Sequence, residues 1–160
     1  MDAGQLVGDD IMIRIVRDRL ARPDTASGFV LDGFPRTVAQ AEALDAMVDQ
    51  TAPIIVVNVE VPEPALLDRL TARRICGSCG WMAVPGMTAC ARCGGALVQR
   101  RDDNEAVVRE RLRVYERDTQ PLVEFYRSRP TFRSVDGDQT PDAVAADLAA
   151  AVASVGGGHA

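Results

Sequence analysis

Apolar residues spaced three and four positions apart predict a helix over Asp9–Ala21, and its stripe is formed by Ile11, Ile15, Val16 and Leu20. Four further helices are predicted over Thr37–Gln50, Glu63–Arg74, Asn104–Ser128 and Pro141–Val155. In the longest of them the residues expected to face inward are Val107, Val108, Leu112 and Tyr115.

Three short apolar runs between these helices predict strands, over Phe29–Leu31, Ile54–Val61 and Phe132–Val135. The run Ile54–Val61 is nearly continuous and β-branched, as expected for a strand buried on both faces of a parallel sheet. Strands that alternate with helices predict an α/β fold. Residues 75–98 are rich in Cys and Gly without a helical period, so we expect a core of residues 1–74 and 99–160 and a small separate lobe.

The composition of the chain excludes some classes of partner. A net charge of −5 argues against general affinity for nucleic acid. All 18 basic residues are Arg, which binds phosphate through a planar fork of donors, although a GC-rich genome would also produce this composition. No apolar stretch has the length of a membrane span, so no membrane partner is expected. The acidic start MDAGQLVGDD is unlike a secretion signal, so we expect a cytoplasmic protein.

The four cysteines form two Cys-x-x-Cys pairs separated by ten residues, Cys76 with Cys79 and Cys90 with Cys93. Such pairs predict one tetrahedral Zn²⁺ site, in which four thiolates leave no open catalytic position. Two disulfides or four free thiols are the alternatives, and a reducing cytosol disfavours the disulfides. A zinc ribbon that acts as an interaction module also remains an alternative.

The segment of residues 28–42, GFVLDGFPRTVAQAE, closely resembles adenylate kinases. Further matches follow in the order of that family: MDAGQLV at residues 1–7, RLTARR at 69–74, a cysteine-rich lobe similar to the zinc-bearing lid of one branch, QRRDDNE at 99–105, Arg111-Leu112, Pro121-Leu122 and Val135-Asp136-Gly137. The resemblance implies a three-layer parallel sheet of the nucleoside monophosphate kinase type. It also implies reversible transfer of a phosphoryl group from ATP to AMP, with Mg²⁺ as the nucleotide complex, a structural Zn²⁺ and a monomeric complete enzyme.

The resemblance also implies roles for individual residues. Those implied for AMP are Gln5, Leu6, Val7, Gly33, Phe34, Pro35, Arg36, Gln40, Arg100 and Arg111. Those implied for ATP are Arg69, Arg73 and Gln139, with Arg69 and Arg73 expected on one helix face. The catalytic set would be Arg36, Arg73, Arg100, Arg111 and Asp32, the last orienting the water shell of Mg²⁺.

Several of these residues have plainer interpretations. Gln40 could simply complete a capping box with Thr37. Arg109, Arg113 and Arg117 fit a solvated ion-pair face better than a binding site. Asp102 and Asp103 could form a hinge or pair with arginines. The lobe also departs from the family pattern, because Trp81, Met82 and Ala83 stand where zinc-lid members usually carry a Thr-Tyr pair.

The 160 residues contain no G-x-x-x-x-G-K-[ST] loop and no Lys, although the family binds nucleotide phosphates with that loop. The short helices with which the family covers AMP are absent as well. We therefore expect that the sequence is a piece of a longer protein, or that its start codon was assigned too late. On its own, this chain is expected to be inactive. A nucleotide-binding protein that has lost catalysis is the alternative.

Overall fold

The computed structural model describes residues 5–48 and 53–156. Two compact units divide the chain. The first, here called the cysteine unit, consists of Met1–Gln5 and Val61–Arg113, and the second, the sheet unit, consists of Leu6–Glu60 and Val114–Ala160. In chain order the elements are α1 (Asp9–Leu20), α2 (Val38–Met47), β1 (Val56–Glu60), α3 (Glu63–Ala72), β2 (Ile75–Cys76), β3 (Leu97–Val98), α4 (Glu105–Val114), α5 (Gln120–Arg127), β4 (Phe132–Asp136) and α6 (Pro141–Gly156).

The sheet unit contains the parallel pair that the alternation of elements predicts. β1 and β4 run parallel, with Val56 opposite Phe132 and Glu60 opposite Asp136. Helix α6 packs against both strands, and α2 packs against α5. The α/β fold with a parallel sheet is therefore confirmed.

Two apolar clusters hold the sheet unit together. One joins α1 to α2 through the buried residues Val16, Phe34 and Leu44. The other joins α2, α5 and the sheet through Ala41, Leu122 and Tyr126. The stretch from Phe34 to Ala41 supplies both clusters, so its backbone is fixed by packing on two sides.

Phe29–Leu31 does not form a strand, in contrast to the expectation from its composition. Val30 is 94% exposed, and no strand of the described residues lies beside it. A strand gains its backbone hydrogen bonds only from a neighbour, so an apolar run without one stays irregular. β1 is likewise not buried on both faces, because Val59 is exposed and only β4 pairs with it in the described part of the chain.

All five predicted helices form, with ends within a few residues of the prediction. The apolar stripe of α1 was assigned partly wrongly, since Ile11 and Ile15 are exposed and Met12 and Ile13 pack on the core instead. None of the helices among the described residues has the length and hydropathy that a membrane crossing requires.

The predicted helix over Asn104–Ser128 contains one wider turn, over Tyr115–Thr119, between α4 and α5. Pro121 explains it, because a proline has no N–H and its ring clashes with the carbonyl four residues earlier. Val114, just before this turn, is buried, whereas Tyr115 is exposed. Placing Tyr115 inward was therefore wrong.

Candidate functional site

The two Cys-x-x-Cys pairs fold into two turns with the same hydrogen bonds. In the first, Gly80 N–H donates to the Cys76 carbonyl at 2.9 Å and Cys76 N–H donates to the Trp81 carbonyl at 2.8 Å. The second repeats both bonds between Gly94, Cys90 and Gly95, at 2.8 and 3.0 Å. Gly80 and Gly94 have φ near +70°, a conformation that glycine adopts at little cost.

The four thiol sulfurs lie within 4.8 Å of one another. Sγ of Cys93 is 3.5 Å from Sγ of Cys76 and 3.5 Å from Sγ of Cys79, and the Cys79–Cys90 pair is 3.7 Å apart. These separations are far longer than a disulfide bond of about 2.05 Å. The sulfurs are close enough together for all four to contact one metal ion.

The backbone favours the thiolate form at one corner of this cluster. The backbone N–H groups of Cys79 and Ser78 donate to the sulfur of Cys76 and lower its pKa to about 6. At Cys93 a hydrogen bond from the Gly95 backbone lowers the pKa, but the three neighbouring thiols outweigh it and raise the pKa to about 12. A metal ion requires deprotonated cysteine ligands and would supply the positive charge that several adjacent thiolates need. The four cysteines of the described chain can therefore hold a metal ion.

Three of the predicted arginines of the cysteine unit meet at the adjacent pair Asp102 and Asp103. Arg73 donates through Nε and Nη2 to the two oxygens of Asp103, at 2.8 and 2.5 Å. Arg100 binds Asp102 in the same two-pronged way, at 3.0 and 2.7 Å. Arg111 Nη1 lies 3.4 Å from Asp102 and 3.7 Å from Asp103. The pairing of this Asp dipeptide with arginines, one of its two interpretations from sequence, is confirmed.

Asp103 is 0% exposed, so it is the buried anchor of this group. Arg73 lies just beyond the end of α3, which closes at Ala72, and its ψ of 134° is not helical. The predicted helix over Glu63–Arg74 therefore ends two residues early, and Arg73 is its C-cap residue. The fork of Arg73 is directed by Asp103 and not by the helix. Asp103 also raises the pKa of Arg73, which stays charged at any physiological pH.

In the sheet unit, Arg36 lies in the loop between α1 and α2 and is held by three hydrogen bonds. Its backbone N–H donates to Oε1 of Gln40 at 2.8 Å, and its carbonyl accepts from the hydroxyl of Thr119 at 2.9 Å. Its Nε donates to the Gly33 carbonyl at 2.8 Å. Gly33 has φ +72°, and a Cβ there would lie 3.0 Å from Nη2 of Arg36. The Phe34–Pro35 peptide bond in this loop is cis.

The start of α2 is capped in part as predicted. Thr37 Oγ1 accepts from Gln40 N–H at 3.2 Å, which is half of the capping box. In a complete capping box, the Gln40 side chain would accept from the backbone N–H of Thr37. Its Oε1 instead accepts from the backbone N–H of Arg36. Its Nε2 donates to Oδ1 of Asp9 at 2.7 Å, so the amide is engaged at both ends.

The remaining predicted residues occupy different surroundings. Gln5 donates to Glu110 at 2.9 Å in the cysteine unit. Leu6 and Val7 are half-buried, whereas Asp32 and Arg69 are exposed. Gln139 follows β4 and donates to the Asp136 carbonyl and to Asp147. Along α4, Arg109 and Arg113 pair with Glu105 and Glu110 on the surface, as predicted, whereas Arg117 beyond α4 pairs with Asp118.

Sequence reasoning missed Thr119, which contacts Arg36, and Asp9, which contacts Gln40. Asp9 lies 31 residues before Gln40, so no local pattern connects them. Thr119 lies 83 residues after Arg36 in the wider helical turn. Only the Pro121 that causes this turn could have drawn attention to Thr119.

Comparison with known proteins identifies the family. The sequence model of the family described as Adenylate kinase matches residues 1–131. Adenylate kinase of Desulforudis audaxviator is 49% identical over 95% of this chain and 75% of the relative. The adenylate kinases of Desulfitobacterium hafniense and Methanocella arvoryzae are 47% and 43% identical, over 72% and 74% of their own lengths. The chain belongs to the adenylate kinase family.

Proposed function

We propose that the arginines of the two units bind the nucleotides of the adenylate kinase reaction, in which ATP and AMP become two ADP. Arg36, held at three points in its loop, binds the phosphate of AMP. Arg69 and Arg73 bind ATP, while Arg100 and Arg111 bind the phosphate of AMP and the group in transfer. The observation that carries this proposal is the convergence of Arg73, Arg100 and Arg111 on one pair of carboxylates.

Phosphoryl transfer suits this arrangement because it needs little covalent chemistry from the protein. It requires nucleotides held in line and charge neutralised on the transferred group. Carboxylates and phosphates both present paired oxygens to the arginine fork. Asp102 and Asp103 therefore keep the forks extended and oriented in the chain without nucleotide, and phosphate oxygens compete for the same donors.

The other predicted residues complete the nucleotide sites in this proposal. Gln5, Leu6 and Val7 offer groups to the base of AMP, Gly33, Phe34 and Pro35 shape the loop, and Gln40 and Gln139 contact the bases of AMP and ATP. Mg²⁺ accompanies the nucleotide and neutralises phosphate charge, and the exposed Asp32 orients its water shell. The amide of Gln40 already has partners at both ends, so a base would have to use its remaining N–H or oxygen lone pair.

Substitution of single arginines tests which of them bind AMP and which bind ATP. In an enzyme extended to include the phosphate-binding loop, Arg36→Ala should raise KM for AMP, and Arg73→Ala should act on KM for ATP or on kcat. Loss of one preorganised donor should reduce transition-state stabilisation by about 2–4 kcal/mol. Arg113→Ala is the matched control, because Arg113 lies on the exposed ion-pair face. Unchanged kcat/KM in the first two variants would show that these arginines do not contact nucleotide.

For the cysteine cluster, the ion that fits four thiolates at these separations is Zn²⁺ in a structural role. The lobe of residues 75–98 would then be a zinc-bearing lid, and four reduced thiols fit a reducing compartment such as the cytoplasm. Elemental analysis should give about one zinc per chain. Chelation should unfold residues 75–98 at a lower temperature than the sheet unit. A metal-free chain of unchanged stability would rule the zinc site out.

A further inference from the structure

We propose that Asp9 is a positioning residue for Arg36, which it orients through Gln40 and Thr37. This inference rests on the proposed role of Arg36 in binding the phosphate of AMP. Asp9 lies in the first turn of α1, and its two carboxylate oxygens contact two different residues of α2 and its cap.

The first link is the pair of bonds that Asp9 accepts. Oδ1 accepts from Nε2 of Gln40 at 2.7 Å, and Oδ2 accepts from the Thr37 hydroxyl at 3.0 Å. An amide of the same shape could accept only one of these two bonds, because its other end is a donor. The charge also lies at the N-terminus of α1, where the helix dipole favours an anion.

The second link carries this constraint to Arg36. Gln40 is 2% exposed, and the Asp9 contact fixes which end of its amide faces Arg36. The oxygen end accepts from Arg36 N–H at 2.8 Å, whereas the reversed amide would direct N–H against N–H. With Thr119 on the Arg36 carbonyl, the peptide groups on both sides of its Cα are fixed, so the side chain leaves the loop in one direction.

The test compares Asp9→Asn with Asp10→Asn in the enzyme extended to include the phosphate-binding loop. Asp10 is the neighbouring residue in the same helical turn, and its substitution makes the same change in charge. Any general electrostatic effect on a bound phosphate is therefore shared, while only Asp9→Asn removes an acceptor from Thr37 or Gln40. AMP binding, measured calorimetrically, should weaken about five- to tenfold in Asp9→Asn and by less than about twofold in Asp10→Asn, a loss in the range of one hydrogen bond.

A double substitution distinguishes positioning from general stability. In an Arg36→Ala background, adding Asp9→Asn should reduce AMP affinity less than it does in the wild type, because the part of its effect that acts through Arg36 is already lost. Losses that simply multiply would overturn the inference while leaving the proposed role of Arg36 intact. An extended wild-type enzyme that does not bind AMP would instead overturn the proposed function, and this inference with it.

A measurement without nucleotide tests the link directly. The Arg36 amide should exchange its hydrogen at least about tenfold faster in Asp9→Asn than in Asp10→Asn, because Gln40 no longer holds its oxygen in place. Should Asp9→Asn fail to fold, Gln40→Met replaces it, since it removes the acceptor of the Arg36 N–H and keeps the apolar bulk. Equal Arg36 exchange in the wild type and in whichever of these variants folds would refute the inference.

Discussion

At the scale of the residue, the candidate site consists of arginines that are already paired. Arg73 is held by a fully buried carboxylate, and Arg100 by a more exposed one. A long charged side chain without such a partner would sample many rotamers, and ordering it on binding would reduce affinity. The carboxylates therefore preorganise the donors that the nucleotide phosphates are proposed to use.

Asp103→Ala should destabilise the cysteine unit by about 3 kcal/mol, because it leaves the Arg73 guanidinium without its buried partner. Asp102→Ala should cost less than about 1 kcal/mol, since its side chain is 23% exposed and water can replace it. Urea unfolding followed by the fluorescence of Trp81, the single tryptophan of the chain, measures both. Equal losses in the two variants would contradict the assignment of Asp103 as the anchor.

At the scale of the element, the two cysteine turns form one compact unit of local structure. Each closes with the same pair of backbone bonds, and β2 and β3 join them as a short antiparallel pair. Gly95 is the tightest position in these turns, because a Cβ there would lie 2.9 Å from Oγ of Ser78, 3.0 Å from Sγ of Cys76 and 3.3 Å from Sγ of Cys93. The sulfurs cannot move away from such a Cβ without leaving the tetrahedral geometry that a Zn²⁺ site requires.

Gly95→Ala should therefore weaken zinc binding by more than about tenfold, as expected when the geometry of a metal site is distorted. Gly77→Ala is the control, because a Cβ there meets its nearest neighbour at an ordinary 3.6 Å. Competition against a colorimetric chelator compares the two affinities. If both variants bind zinc as the wild type does, the packing around the four sulfurs is looser than the structure shows.

At the scale of the whole molecule, the sequence sets a limit on activity. The 160 residues contain no Lys and no G-x-x-x-x-G-K-[ST] loop, so no described element offers a backbone cradle for β and γ phosphates. The irregular Phe29–Leu31 segment and the exposed residues of β1 leave apolar surface in the sheet unit. Such surface favours association between chains.

The 160-residue chain alone should therefore produce no ADP from ATP and AMP, and it should be poorly soluble or loosely folded. A chain extended at its N-terminus by a strand, the glycine-rich loop and a helix should be active. The same extension with the loop lysine changed to methionine is the control. A coupled ADP assay compares all three, and turnover by the short chain close to that of the active extension would mean that the γ phosphate is held elsewhere.

The sequence by itself determined the helices, the parallel pair of strands and the cysteine turns, because periodicity and short spacings act over a few residues. Resemblance to a family also identified the arginines. Tertiary structure decided what those residues contact: Asp9 and Gln40 are 31 positions apart, and Arg36 and Thr119 are 83 apart. It also decided that Phe29–Leu31 is irregular, since a strand depends on a neighbour that its own residues cannot supply. Local sequence predicts local secondary structure, whereas hydrogen bonds between distant residues form only when the chain packs.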